Sequence, residues 1–263
     1  MSDVSEALRL QQTLYASRNP TRRWLHQTRR DWIISALRRH ARQCNGAASE
    51  VGFGSGIYLP VLAELYDEVV GIDLQADFVR HVREFTRSTP NIRVIEADIN
   101  RVELPAESFD LILCTEVVEH LSDSRPAIAE MYRMLRPEGV LLLSTPQPWS
   151  PLELSAKIAF LPGIVSLVRL IYREPILETG HINLMSQKKL TQQLEAAGFT
   201  IRERFTSGVY LPVAAESLGR LALRCEQWLE ERIRGGPLEA LLWEQYYVAG
   251  KSSQSAMPAR SED

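Results

Sequence analysis

The stretch Ala48-Ser-Glu-Val-Gly-Phe-Gly-Ser-Gly56 constrains this chain more than any other. Apolar Val51 leads into glycines at 52, 54 and 56, and an amphipathic run begins at Ile57. That order predicts a strand, a tight turn and a helix. Glycine lets the turn take positive φ and lets a ligand approach bare backbone. The N–H groups at the following helix start then face whatever is bound there. A second strand, Glu68-Val-Val-Gly-Ile-Asp73, ends in a carboxylate 21 residues after Gly52 (73 − 52). An acid about 20 residues past a glycine turn is placed to hold two ribose hydroxyls at the tip of the neighbouring strand. Together the two features predict an adenosine-containing cofactor. The spacing is G-x-G-x-G, with Ile57 where a dinucleotide fingerprint needs its third glycine, which weighs against a nicotinamide dinucleotide.

The strands that follow extend the pattern. Phe78, Val79, Val82 and Phe85 give one apolar helix face. Residues 92–95 read as a third strand ending at Ala97-Asp98, and 109–114 as a fourth, nearly continuous in apolar residues as a buried parallel strand should be. A helix is expected over 126–136, a stop at Pro137-Glu-Gly139 and a fifth strand over 140–144. Strands alternating with helices imply a Rossmann-like, doubly wound α/β sheet, with its ligand crevice beyond the carboxyl ends of the strands.

Bulk properties exclude several classes. At 263 residues, 45% hydrophobic and 24% charged, the chain has the composition of an ordinary globular protein. A net charge of −3 gives no reason to expect nucleic acid as a partner. Three dispersed cysteines (Cys44, Cys114, Cys225) suit a reducing, cytoplasmic compartment and argue against a zinc site or disulfide framework. The polar, acidic N-terminus shows no secretory signal. The most apolar uncharged run, 158–168, holds Pro162 and Gly163 and falls short of the about 20 residues a spanning helix needs.

The flanks are read as parts of one domain. Residues 1–44 are expected to be N-terminal helices, 45–145 the cofactor-binding core, and 146–185 a helical lid or acceptor-pocket wall. Residues 186–251 would be a C-terminal helix and an edge hairpin, and 252–263 a polar tail. The first long helix, expected over 21–43, carries seven arginines against Asp31. They form either a solvated face or, at Arg29 or Arg30, a bidentate grip on a cofactor carboxylate. In the lid, Ile158, Phe160, Leu161, Ile164 and Val165 would either pack on the domain or give the acceptor an apolar wall. Ser186 reads as an N-cap and Gly198 as a C-terminal stop. His181 either ties its loop down or points at the acceptor. A helix over 214–234 would interrupt the last hairpin. Its apolar residues leave a lid contact or a homodimer open, while a peripheral membrane contact is a third reading of the arginines on the first long helix.

Glu50-Val-Gly-Phe-Gly-Ser-Gly56, Gly71-Ile-Asp73, Ala97-Asp98 and Phe109-Asp-Leu-Ile-Leu-Cys-Thr-Glu-Val-Val-Glu-His-Leu121 come in the order of the motifs of the class I S-adenosylmethionine-dependent methyltransferases, which this chain resembles over roughly residues 45–145. The resemblance implies a seven-stranded sheet whose last strand runs antiparallel. It implies S-adenosylmethionine held by Gly52, Gly54, Gly56, Asp73, Leu74, Asp98, Ile99, Cys114 and an arginine such as Arg30. Asp98 would accept from the adenine amino group, with Ile99 packed on the ring. The acceptor would be a partly apolar small molecule, methylated at a hydroxyl oxygen or, less in keeping with the sequence, at nitrogen or carbon. His120 is the candidate base, because imidazole titrates near neutral pH. Glu116-Val-Val-Glu-His120 also resembles the E-V-x-E-H of ubiquinone-type O-methyltransferases, where these residues are associated with a divalent cation. No metal ligand is assigned here, because the rest of the chain departs from that group.

Overall fold

The computed structural model describes residues 14–41, 46–159 and 180–252. The expected lead-in, most of the lid and nearly all of the tail lie outside these residues. Helix α1 (Pro20–His40) opens on Asn19, whose side chain accepts from the N–H groups of Thr21 and Arg22. Then follow β1 (Ala47–Val51), α2 (Leu59–Leu65), β2 (Glu68–Asp73), α3 (Ala76–Phe85), β3 (Ile92–Glu96), β4 (Phe109–Thr115), α4 (Arg125–Met134) and β5 (Leu135–Pro146). Beyond them come α5 (Pro151–Ala159), α6 (Gln187–Ala196), β6 (Phe199–Ser207), α7 (Pro212–Leu218), α8 (Arg220–Ile233) and β7 (Glu244–Lys251).

One seven-stranded sheet runs in the order β3-β2-β1-β4-β5-β7-β6. All pairs are parallel except β5–β7 and β6–β7. This is the doubly wound fold with an antiparallel last strand that the sequence implies. Alternation on β4 divides the core. Leu111 and Leu113 join α1, α2 and α3 on one face, whereas Ile112 and Cys114 join α4 and α6 on the other. Each fully buried aliphatic side chain contributes about 1.5–3 kcal/mol, so both helical layers are held by the sheet's apolar strands.

Several boundaries differ from expectation. The fourth helix ends at Met134, and β5 begins at Leu135 and runs through Pro137-Glu-Gly139. Pairing of Phe109 with Leu135, and a register shift before Leu111 meets Val140, absorb the turn-forming residues as an irregularity. Phe85, expected on the apolar face, is exposed at the last position of α3. The helix that splits the last hairpin is two helices, broken at Gly219 with φ 52° and ψ −116°, a conformation costly for any other residue.

Candidate active site

Sheet register gathers the predicted residues at one rim. β1 and β4 are neighbours in the sheet although two strands separate them in sequence, so the crevice opens at their carboxyl ends. Val51 pairs with Ile72 on one side and with Cys114 on the other. Gly52, Gly54 and Gly56 have φ of 69°, 49° and 71°. A Cβ on Gly52 would lie 2.2 Å from Val117 Cγ2, so the loops after β1 and β4 touch only because Gly52 has no side chain. Asp73 closes the turn: Oδ2 accepts from Gly54 N (3.0 Å) and Oδ1 from Gln75 N (2.9 Å). Asp73 pairs with Glu96 across β2–β3, and Ala97 N donates to the Asp73 carbonyl (3.0 Å), which carries Asp98 to the same rim. Asp98 Oδ1 accepts from Asn100 N and Asn100 Nδ2, both at 2.9 Å, and Ile99 behind it is buried.

Glu50 lies buried under this turn, and its Oε2 has no hydrogen-bond partner. Burial, and then the charge of Asp73, push its carboxyl well above the usual range. Burial also raises Asp73, against three backbone N–H groups that stabilise its charged form. Two adjacent carboxylates, one with an unpaired oxygen, and a turn built of positive-φ glycines fit a hydroxyl-rich ligand bearing positive charge.

On the far side of the crevice, Glu116 follows β4 with φ 56°, a backbone conformation that costs a non-glycine residue about 1–3 kcal/mol. Arg29 of α1 reaches it at 2.5 Å and stands 3.6 Å from Glu244 of β7. Burial works to raise Glu116, but the Arg29 guanidinium outweighs it, so its carboxyl is held below the ordinary value. Burial and then the Glu116 charge push Glu244 well above its own. The cluster therefore sets two carboxyl groups against one guanidinium, with Glu116 the more acidic of the two.

The short turn Val118–His120 sets the next group. Glu119 is fully buried; its Oε2 accepts from Thr145 Oγ1 (2.8 Å), while Oε1 has no partner. Its backbone carbonyl accepts from Ile182 N and Asn183 N, both at 3.0 Å, which docks the 180–185 loop onto this turn. His120 Nδ1 lies 3.2 Å from the Gly180 carbonyl. A carbonyl only accepts, so Nδ1 carries the proton and Nε2 keeps its lone pair. Partial burial of the ring lowers the His120 pKa despite the Gly180 carbonyl. His181 packs edge-on at 5.2 Å between ring centroids, and its Nδ1 lies 3.1 Å from Glu153 Oε2 of α5. One ligand atom each from Glu119, His120 and His181 fall within 4.8 Å of one another.

Two expectations change, and one resemblance does not carry over. Arg30 is turned outward, pairing with Asp31 (2.8 Å) and lying over the Tyr15 ring, so it is not the arginine of the crevice. The reason is helical geometry: Leu25, Arg29, Ile33 and Leu37 share the buried face, and Arg30 is one residue round from it. Cys114 is buried in the core, and burial raises its thiol, so only its backbone is at the rim. Glu116, Glu119 and His120 do not converge as a set, because Glu116 is taken by Arg29 and His181 stands in its place. Leu74 is exposed at the tip of β2. Sequence reasoning did not single out Glu244, although an acid opening an apolar strand is a signal of its kind.

Residues 49–143 match the methyltransferase-domain family model. A protein of Mycolicibacterium smegmatis named a probable S-adenosylmethionine-dependent methyltransferase is 31% identical over 65% of this chain and 58% of its own length. The ubiquinone biosynthesis O-methyltransferase of Methylococcus capsulatus is 30% identical over 52% of this chain and 57% of its own. This chain thus spans somewhat over half the length of these relatives. The crystal structure of an S-adenosylmethionine-dependent methyltransferase from Mesorhizobium loti shares the fold, with a TM-score of 0.54 and 16% identity over 82% of this chain and 96% of that one. Residues 49–143 thus match a methyltransferase domain, and a relative over 65% of this chain is named as S-adenosylmethionine-dependent.

Proposed function

We propose that this protein transfers the methyl group of S-adenosylmethionine to a hydroxyl oxygen of a partly apolar small molecule. The observation that carries the reading is His120, neutral and with Nε2 unprotonated, on the same rim as the glycine turn and Asp73. Gly52, Gly54, Gly56, Asp73, Leu74, Asp98 and Ile99 would hold the cofactor, with Cys114 contributing backbone only. Of the arginines on α1, Arg29 is the one that faces the rim. When bound, the cofactor supplies a methyl group already activated on a sulfonium. The protein's own part is to orient the acceptor, exclude water and take the hydroxyl proton at His120 Nε2. The hydroxyl assignment has further support in the similarity to a ubiquinone biosynthesis O-methyltransferase. Among the described residues no helix is long and apolar enough to cross a membrane, in keeping with a small-molecule acceptor met in water or at a surface.

The test is transfer of a labelled methyl group to a panel of apolar phenols and catechols, with wild type and His120→Ala. The expected product is an O-methyl ether, with turnover about 100-fold lower in the variant and cofactor affinity retained. Undiminished turnover by the variant would overturn the base assignment, and label found only on nitrogen or carbon acceptors would overturn the hydroxyl assignment.

A second reading rests on the convergence of Glu119, His120 and His181, with an unpaired Glu119 oxygen. Two imidazoles and one carboxylate suit a borderline transition-metal ion better than Mg²⁺. Metal content of the purified protein decides between the readings. A stoichiometric ion lost in His181→Ala supports the second; its absence after incubation with Zn²⁺ or Mn²⁺ leaves His120 as a free base.

A further inference from the structure

Helix α8 is turned inside out. Its buried face carries Glu226 and Glu230 beside Ala222, while Leu221 and Trp228 are 65% and 51% exposed. Amphipathic helices ordinarily bury the apolar stripe. Here carboxylates bolt the helix down instead. Glu226 accepts from Thr21 Oγ1 (2.6 Å) and Leu211 N (2.8 Å), and Glu230 from Gly208 N (2.6 Å), with Arg234 paired to it. These bonds fix the rotation of α8 about its axis, and that rotation puts the apolar residues outside.

The outward stripe is apolar and mainly cationic, with exposed Glu231 at its edge. Leu221, then Arg224 and Cys225, then Trp228 and Arg232 recur at spacings of three or four residues, on one side of the helix. Arg232 lies over the Trp228 ring, its guanidinium carbon 4.8 Å from the centroid. Among the described residues Arg224 and Arg232 have no carboxylate partner. A chain of net charge −3 has thus set unpaired arginines beside exposed Leu and Trp on a single helix face.

We propose that this face of α8 docks the protein on an anionic lipid surface. Charge decides the occupant. In a two-fold pairing of this face with a second copy, Arg224 and Arg232 would lie against their own like charges, whereas a phospholipid boundary offers phosphate and hydrocarbon at the depths that arginine and Trp or Leu occupy. The site on β1 and β4 plays no part in this docking, so its failure would leave the methyl-transfer reading standing.

The test is sedimentation of the full-length protein with vesicles of phosphatidylcholine alone or mixed with phosphatidylglycerol, at low and high salt. Binding is expected only to the anionic vesicles, and to weaken as salt screens the arginines. Leu221→Asp with Trp228→Asp should weaken it by at least about tenfold, and Arg224→Glu with Arg232→Glu should abolish its dependence on phosphatidylglycerol. Circular dichroism shows that each variant is folded, as exposed substitutions should be. Absence of wild-type binding, or equal binding by folded variants, overturns the proposal. So does a dimer by analytical ultracentrifugation that the Leu221 and Trp228 changes dissolve.

Discussion

The inner strands and the outer hairpin meet at one crevice but are assembled differently. From β1 to β3, Gly52, Asp73 and Asp98 reach the rim through strand register and short backbone bonds, such as Gly54 N to Asp73 Oδ2 at a separation of 19 residues. The outer hairpin and the first helix are instead joined by long-range carboxylate contacts. Thr21 meets Glu226 across 205 residues, Asn19 meets Glu216 across 197, and Arg29 meets Glu244 on the last strand. The difference teaches where tolerance lies. The glycine turn is constrained by backbone conformation, so it fails through bulk. The outer half depends on paired polar groups in a dry setting, so it fails when one partner is removed.

The largest effect is expected at Arg29. Arg29→Met leaves Glu116 ionised and buried without its guanidinium, which should cost about 3–5 kcal/mol in urea unfolding. A loss under about 1 kcal/mol would mean that the carboxylates are neutral together and that the ion pair does not organise this half. Next is Glu226→Ala, which strands Leu211 N and the Thr21 hydroxyl and should cost about 1–3 kcal/mol. Hydrogen exchange should then rise in the 208–234 segment and not in β1 or β2; uniform acceleration would erase the contrast between the halves.

The smallest effect concerns pH. A lowered His120 pKa keeps the ring neutral below the ordinary histidine value of 6.5. Its proton-accepting form therefore persists as pH falls through 6.5 and is lost only at lower pH. The acid limb of kcat/KM should lie below 6.5 and vanish in His120→Ala. A limb at or above 6.5 that survives in the variant belongs to another group.

The same contrast governs how much could be read from the residues. Residues 68–73 have the bounds expected, because glycine turns and apolar periodicity are local signals. β5 ran past Pro137-Glu-Gly139, because pairing with β4 overrides a local breaker. Arg29 over Arg30 was open to a helical-face argument from Leu25 and Ile33. The Arg29–Glu116–Glu244 cluster was not, since nothing local links residue 29 to residue 244. His181 beside His120 likewise depends on the loop docked at the Glu119 carbonyl.

The central claim is that the turn at Gly52–Gly56 and Asp73 bind S-adenosylmethionine. Calorimetric titration of wild type and Asp73→Ala with S-adenosylmethionine, S-adenosylhomocysteine and NADH tests it most directly. The account predicts binding of the first two and not of NADH, with affinity for both weakened by about 1–3 kcal/mol in Asp73→Ala through lost ribose hydrogen bonds. Binding of NADH alone, or an unchanged affinity in the variant, would contradict it.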